Sequence, residues 1–233
     1  MYPVSDDFLQ AVQENTREYK WTGRLVTKSG TIYEIEPKDI VKGSGYITRS
    51  CCGNNEIEIG SVYASEMKIT LFLDIDRYSL EEAVMEFFYS LKLSDGEWET
   101  IPMGVFEISE ANRHTKTIEL TGYDYMLRFD KTASVDVSSG TPFEFLSYAC
   151  EKCNVELAHT QEEVEAMSNG TELFGIYPDG NIETYRDLLY YLAQVLGRVC
   201  QINRKGMLEL IPYGVSPVVV MGSEQRFLSS YSD

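Results

Sequence analysis

The cysteines are the residues whose type and spacing come nearest to a known chemical site. Cys150 and Cys153 have CxxC spacing, which occurs in zinc sites and in thioredoxin-like redox motifs. A zinc site needs about four ligands, and the sequence has neither a second CxxC nor paired histidines. A redox motif follows a strand in a βαβ unit, whereas this pair falls at the end of a predicted helix. We interpret both as structural or incidental thiols. The vicinal pair Cys51-Cys52, which cannot easily form a relaxed disulfide, is interpreted as structural.

The two histidines could act as a general acid or base only beside a nucleophile or a carboxylate held within reach. His114 lies in a predicted hairpin turn, and His159 lies in a polar loop. Neither neighbourhood resembles a nucleophile elbow or an HExxH helix. The glycine-containing stretches do not have P-loop or GxGxxG spacing either. We expect both histidines to be surface residues.

Two close pairs of acidic residues could bind calcium or act as glycosidase carboxylates: Asp74 with Asp76, and Glu81 with Glu82. The Asp-Ile-Asp stretch lacks the further ligands and the glycine of an EF-hand loop. A solvent-exposed strand end is the simpler interpretation. No catalytic, metal-binding or cofactor-binding residue is therefore assigned.

One cluster remains, the run Tyr123, Asp124, Tyr125 and Met126, which follows two strand-like stretches within residues 99–131. Aromatic side chains with a polar tip are common in half-buried positions and at protein interfaces. We expect these four residues to pack at a strand end or to contact another subunit. The sequence leaves both alternatives open.

Period-two alternation dominates the elements that would position these residues. About nine strands at hairpin spacing are predicted before residue 125, which is typical of a barrel or a sandwich. They include a hairpin turned by Gly30, a strand with Met67, Ile69, Leu71 and Leu73 on one face, and separate strands in EWETIPMG and VFEISE.

Two further elements precede or interrupt this pattern. Ser5 can cap a short helix, whose apolar side would be formed by Phe8, Leu9 and Val12. Residues 85–93 alternate cleanly, so we predict a strand there rather than a helix capped by Ser79.

Beyond residue 133 the spacing of apolar residues becomes helical. Thr141 is the predicted N-cap of one helix, with Pro142 as its first residue. A second helix is predicted for Asn181–Leu196, with Thr184 as its cap, and a hairpin around Lys205-Gly206 follows. Two helices and a hairpin make a small α+β unit.

The chain of 233 residues has a formal net charge of −17, and residues 141–190 contribute a net −8 from ten acidic and two basic residues. This balance argues against affinity for a nucleic-acid backbone, because no basic surplus is present to release counterions. No apolar run approaches the roughly 20 residues of a membrane span, and no secretion signal is evident. We expect the chain to fold in the cytosol with its cysteines reduced.

Three stretches, in this order, resemble phage and prophage tail proteins of Gram-positive bacteria: GSVYASEMKITL, IPMGVFEISEANRHTKTIELTGYDYMLRFDK and TYRDLLYYLAQVLGRVCQINRKGMLELIPYG. These are baseplate hub or tail-tip proteins, some with a C-terminal peptidoglycan endopeptidase. The resemblance covers roughly residues 16–213. No endopeptidase segment is present, and the sequence stops shortly after SPVVVM, where such proteins usually continue into a second barrel. We therefore expect a truncation at that point.

The resemblance implies a mainly-β fold with an α+β part. A tube-like β-barrel domain would cover residues 1–133, a small inserted α+β module residues 134–213, and the start of a further β segment residues 214–233. It implies a homotrimeric ring at the distal end of a tail tube, in contact with the tube or distal tail protein and with a spike or tip. No enzymatic activity and no cofactor are expected. The location would be the virion tail, assembled in the host bacterial cytoplasm.

An acidic lumen would let DNA pass through such a ring without specific binding. Three alternatives stay open. The chain could be the hub of a contractile tailocin or injection particle, or the non-catalytic N-terminal arm of a tail-associated cell-wall hydrolase. It could also be a carbohydrate-binding module that uses Trp21 and Trp98.

Overall fold

Seven of the strands form one antiparallel sheet in the computed structural model, which describes residues 2–50, 59–134, 139–175 and 181–213. Cys51-Cys52 and the segment 214–233 lie outside these residues. The sheet has the order β2-β1-β5-β6-β7-β4-β3. Its strands are β1 Tyr19–Val26, β2 Ile32–Ile35, β3 Tyr46–Thr48, β4 Glu66–Leu71, β5 Val84–Lys92, β6 Trp98–Arg113 and β7 Ile118–Tyr123.

The two edges of this sheet belong to one continuous stretch of chain, residues 32–48. After β2 comes a single turn of 3-10 helix, Pro37–Asp39, and then Ile40 forms a bridge with Leu71 of β4. The five steps from Ile35 to Ile40 span at most about 18 Å, so the first and last strands must approach each other and the sheet must curl.

Strand directions support the same conclusion. Six antiparallel pairings separate β2 from β3, so both run the same way and act as two halves of one interrupted strand. The first half pairs with β1, and the second half pairs with β4. No β2–β3 hydrogen bonds close the ladder among the described residues. The predicted mainly-β fold is confirmed, whereas a closed barrel stays a prediction.

Strand β6 is longer than the sequence pattern predicted. The stretches EWETIPMG and VFEISE are parts of one 16-residue strand rather than two strands. Its first half pairs with β5 and its second half with β7. Register shifts leave Met103 and Ser109 as extra residues on β6, and such bulges bend a strand without ending it.

The core of the sheet lies inside the curl. Met67, Ile69 and Leu71 point inward from β4, as predicted, whereas Leu73 lies beyond the end of β4 and is only partly buried against this core. Strand β5 is also confirmed at the position where a helix was the alternative. The core is completed by residues from the other strands and from the loop before β5: Leu25, Ile35, Ile75, Leu80, Ala83, Met85, Phe87, Phe106, Ile108, Ile118 and Leu120.

Helix α1, Asp6–Gln13, covers one end of the sheet. Ser5 caps it as predicted, because the Ser5 Oγ accepts a hydrogen bond from the Phe8 amide at 3.0 Å. Phe8 and Ala11 pack on Leu91 of β5. The predicted apolar side is wrong in part, since Leu9 is 43% exposed. Only a narrow stripe of α1 meets the strands.

The α+β part consists of α2 Pro142–Cys153, α3 Gln161–Glu165, α4 Tyr185–Leu196, the short pair β8 Ser139–Gly140 and β9 Phe174–Gly175, and the hairpin β10 Arg198–Ile202 and β11 Leu208–Pro212. The predicted caps Thr141 and Thr184 are confirmed, each with a complete capping box. Helix α3 was not predicted, although Thr160 and Glu163 have the capping-box spacing that could have revealed it.

A second hydrophobic core joins these helices and the hairpin. Its members include Phe145, Leu189 and Leu192. Met126 and Phe129, which precede the predicted domain boundary at residue 133, are also fully buried in it. The boundary itself stays a prediction.

Candidate functional site

The run Tyr123 to Met126 lies where β7 ends and a 3-10 helix, Tyr125–Asp130, begins. Successive side chains therefore take different environments. Tyr123 is half-buried, and its hydroxyl lies 3.4 Å from the Glu66 Oε1. Met126 is fully buried in the second core. The run connects the sheet to the α+β part.

Asp124 is a buried cap rather than a free carboxylate. Its Oδ2 accepts a hydrogen bond from the Ser65 amide at 2.9 Å, and its Oδ1 accepts one from the Met126 amide at 3.0 Å. The Asp124 amide donates in turn to the Ser65 carbonyl. Burial raises the pKa of Asp124, and the hydrogen bonds from Ser65 and Met126 oppose that rise. The carboxyl group fixes the start of β4 against the 3-10 helix.

Arg128 extends this junction to two more elements. Its Nε and Nη2 donate to the Glu107 Oε1 of β6 at 3.0 and 2.5 Å. Its Nη1 donates to the carbonyl of Asn154, the C-cap of α2, at 2.6 Å. The guanidinium lies 3.7 Å from the ring centroid of Tyr125. Burial lowers the pKa of Arg128, but the bond to Glu107 outweighs it, so the pKa is raised.

The tip of the β10–β11 hairpin packs against the same place. A Cβ on Gly206 would lie 2.9 Å from the ring of Tyr125, so only glycine fits there without a shift. The bulge on β6 receives two arginines: Arg204 donates to the Pro102 carbonyl at 3.4 Å, and Arg49 donates to the Met103 carbonyl at 2.7 Å. The junction is therefore held by side chains and backbone groups that come from six separate parts of the chain.

The four predicted residues are thus brought together with partners that the sequence did not indicate. An acidic residue before a turn is a recognisable cap signal, and this applies to Asp124. The participation of Ser65, Glu107 and Arg128 depends on strand pairing over long sequence distances, and no local signal reveals it. Contact of this run with a second subunit stays a prediction.

The three cysteines in the described residues are free and buried. Burial raises the pKa of Cys150 to about 12, that of Cys153 to about 11 and that of Cys200 to about 12. A thiol with such a pKa carries little thiolate at neutral pH, and the thiolate is the nucleophile and metal ligand. Burial of both thiols agrees with the interpretation of the CxxC pair as structural or incidental thiols, which stays an interpretation.

The two histidines have different environments. His114 is exposed in the turn after β6, as predicted. His159 is not a surface histidine, so that prediction is wrong: its Nε2 accepts a hydrogen bond from the Leu210 amide at 3.0 Å. The imidazole ring thereby gives the Leu210 N–H a hydrogen-bond partner on the side of β11 that faces away from β10. It lies next to the parallel bridge between Leu157 and Leu208.

The side chains of Asp74 and Asp76 are tied to local structure, and Glu82 forms an ion pair with Lys28 at 2.8 Å. Asp74 forms an ion pair with Arg113 at 2.6 Å, and Asp76 caps a short 3-10 helix by accepting from the Tyr78 amide at 3.1 Å. Within the described residues, no three His, Cys, Asp or Glu side chains are grouped as a metal site would require. In the same part of the chain, none of the helices has the length and apolar content needed to cross a membrane.

No protein-family model matches the chain, and no curated protein matches it either. Solved structures are similar. A chain of the Francisella PdpA–VgrG complex in its half-lidded form aligns with a TM-score of 0.50 and 9% identity, over 88% of this chain and 33% of that one. A chain of the lidless PdpA–VgrG complex aligns with a TM-score of 0.50 and 10% identity, over 84% of this chain and 35% of that one. This chain therefore shares its fold with the aligned parts of the two PdpA–VgrG chains.

The 43 kDa tail protein of prophage MuSo2 from Shewanella oneidensis is also similar, with a TM-score of 0.47 and 15% identity. That alignment covers 82% of this chain and 54% of the tail protein. This chain therefore spans about half the length of that protein and about a third of the PdpA–VgrG chains. At such identities, the likeness concerns the fold alone.

Proposed function

We propose that this chain is a structural, non-enzymatic component of a phage-type tail, and that it forms the hub or tip ring at the distal end of the tail tube. The observation that carries the proposal is the fold: a curled antiparallel sheet joined to an α+β unit, shared with chains of the PdpA–VgrG complexes. The sequence resemblance to hub and tail-tip proteins agrees with it.

The environment of the polar groups supports a structural role. Asp124 and Arg128 each hold two or more elements together. The CxxC cysteines are buried, with raised pKa values. Groups committed to such contacts rigidify a fold. A rigid subunit suits a part that bears load between a tube and a spike.

The course of residues 32–48 supports a barrel, because β2 and β3 run in the same direction as two halves of one interrupted strand. The chain leaves β1 at one edge and joins β4 at the other within a few residues. In the proposed ring each subunit would contribute one such tube-like barrel. The partners would be two further copies, the tube or distal tail protein, and the spike or tip.

The net charge of −17 fits a conduit for DNA. An acidic wall repels phosphates, so DNA would slide without being trapped. The proposed location is the virion tail, after assembly in the cytoplasm of a bacterial host.

Native mass spectrometry of the purified chain across a concentration series tests the ring. We expect a homotrimer whose abundance rises with concentration. A hexamer would contradict the hub and would indicate a tube or distal-tail ring instead. A monomer at every concentration would contradict ring formation by this chain.

A further inference from the structure

Three strands extend beyond the rest of the sheet. Residues 19–22 of β1, 88–92 of β5 and 98–102 of β6 pair only with one another among the described residues. We call them the three-stranded extension. Its inner face is covered by α1, whereas its two lateral edges, residues 19–22 (the β1 edge) and residues 98–101 (the β6 edge), have no strand beside them in the described chain.

The direction of the backbone groups on the β1 edge follows from the ladder. The Lys92 amide donates to the Glu18 carbonyl, and the Thr27 amide donates to the Thr31 carbonyl. In an antiparallel pair, hydrogen-bonded residues alternate. Even-numbered residues of β1 therefore bond to β5, and odd-numbered ones face β2. Since β2 ends opposite Gly23, the N–H and C=O groups of Tyr19 and Trp21 point away from the sheet without a strand partner.

The β6 edge is organised in the same way. The Leu93 amide donates to the Glu97 carbonyl, so odd-numbered residues here bond to β5. The N–H and C=O groups of Trp98 and Thr100 point outward. The next outward position is Pro102, which has no N–H and whose carbonyl accepts from Arg204. The open part of the edge therefore ends there.

Unpaired strand edges are templates for another strand. We propose that the β1 edge of one copy pairs with the β6 edge of a second copy, which continues the three-stranded extension from subunit to subunit. Each edge has two residues whose N–H and C=O groups point outward, so the two edges offer hydrogen-bonding segments of equal length. Strands β1 and β6 run in the same direction, so the added pairing is parallel. The inference rests on the proposed ring.

The position of the two edges also favours a second copy as the partner. They lie on opposite sides of the same three strands, and a head-to-tail contact between different surfaces closes into a ring when the rotation allows it. Tyr19 is 57% exposed and Trp98 is 36% exposed. Exposed aromatic residues of this kind are enriched in protein interfaces.

A proline at Thr100 tests the pairing. It removes an outward N–H while the bonds to β5 remain, and Pro102 shows that this strand accepts proline on that side. Thr100→Val is the matched control, because both variants lose the hydroxyl contact with Ser90. We expect Thr100→Pro to be monomeric at concentrations where the wild type and Thr100→Val assemble. At a lower concentration, where both variants are monomeric, Thr100→Pro should have the same melting temperature as Thr100→Val. Assembly of Thr100→Pro like the wild type would overturn the edge pairing and leave the ring intact.

Disulfide cross-linking tests the contact independently of ring stability. Lys20 and Thr100 both lie opposite Ser90 on the outer face, so within one chain they are about two strand spacings, or ~9.6 Å, apart. That separation is too long for a disulfide. The double variant Lys20→Cys, Thr100→Cys, with Cys51 and Cys52 changed to serine, should give a ladder of species larger than a dimer upon oxidation. Lys20→Cys alone should stop at a dimer.

The two experiments separate the two proposals. A ladder from a chain that is monomeric by native mass spectrometry would support the edge pairing and contradict a stable ring. A stable ring without a ladder would contradict the edge pairing alone. Monomers without a ladder would overturn both.

Discussion

The two hydrophobic cores are assembled from the chain in different ways. In the sheet core, strands that are far apart in sequence meet: Leu25 of β1 pairs with Met85 of β5. In the second core, α2, α4 and the β10–β11 hairpin follow one another closely. Short-range signals such as caps and turns can specify the second core. The sheet core depends on long-range pairing, which such signals do not encode.

The 3-10 helix after β7 connects the two cores. It places Met126 and Phe129 in the second core immediately beyond the last residue of the sheet. Because Arg128 in the same turn bonds to both β6 and the end of α2, neither core can separate without breaking these contacts. We expect the two cores to unfold together.

Large-to-small substitutions in each core give the sharpest test of that expectation. Phe106→Ala in the sheet core and Phe129→Ala in the second core should each destabilise the protein by about 3–5 kcal/mol, because both rings are fully buried. Calorimetry should show a single transition that shifts in both variants. Two transitions, with only one of them shifted by each substitution, would show that the cores are independent.

Asp124→Asn tests the junction between the cores. The asparagine amide can accept from only one of the two backbone N–H groups, so we expect a cost of about 1–3 kcal/mol. Burial raises the pKa of Asp124 above 3.8 in the folded state, so the folded protein binds this proton more tightly than the unfolded chain. Wild-type stability relative to the variant therefore falls as pH rises from 3.8 through the folded pKa.

Urea unfolding of the wild type and Asp124→Asn over an acidic-to-neutral pH series measures this difference. The cost of the substitution should be largest at acidic pH and smallest near neutral pH. A cost that grows towards neutral pH would show that the fold stabilises the ionised carboxylate instead.

A smaller effect is expected from Arg128→Lys. Lysine keeps the charge but cannot direct separate nitrogens to Glu107 and to the Asn154 carbonyl. The Arg128 side chain is 21% exposed and that of Glu107 is 33% exposed, so we expect a loss of about 1 kcal/mol. A double-mutant cycle with Glu107→Gln isolates the pair, and zero coupling would assign the loss to Asn154 and Tyr125.

The accuracy of the sequence-based predictions differs between the two regions for the same reason. The caps Thr141 and Thr184 and the turns at Gly30 and Gly206 were readable, because each depends on neighbouring residues. The continuity of β6 could not be predicted in this way. Its two bulges, which allow the strand to pair first with β5 and then with β7, have no clear local sequence signature.

The candidate site shows the same limit. The run from Tyr123 to Met126 stood out by composition, and its location at a strand end is confirmed. The role of Asp124 depends on Ser65, which is 59 residues away. His159 was misread because the β11 amide that it binds comes from 51 residues further along the chain.

The interrupted strand of residues 32–48 also sets an order of events during translation. Its first half pairs with β1, but β1 needs β5, and its second half needs β4, which needs β7. A chain emerging from the ribosome with its N-terminus first must therefore be made as far as Tyr123 before the sheet can close. Until then the newly made strands keep unpaired edges, and closure of the curl is the slow, late step that such long-range topology dictates.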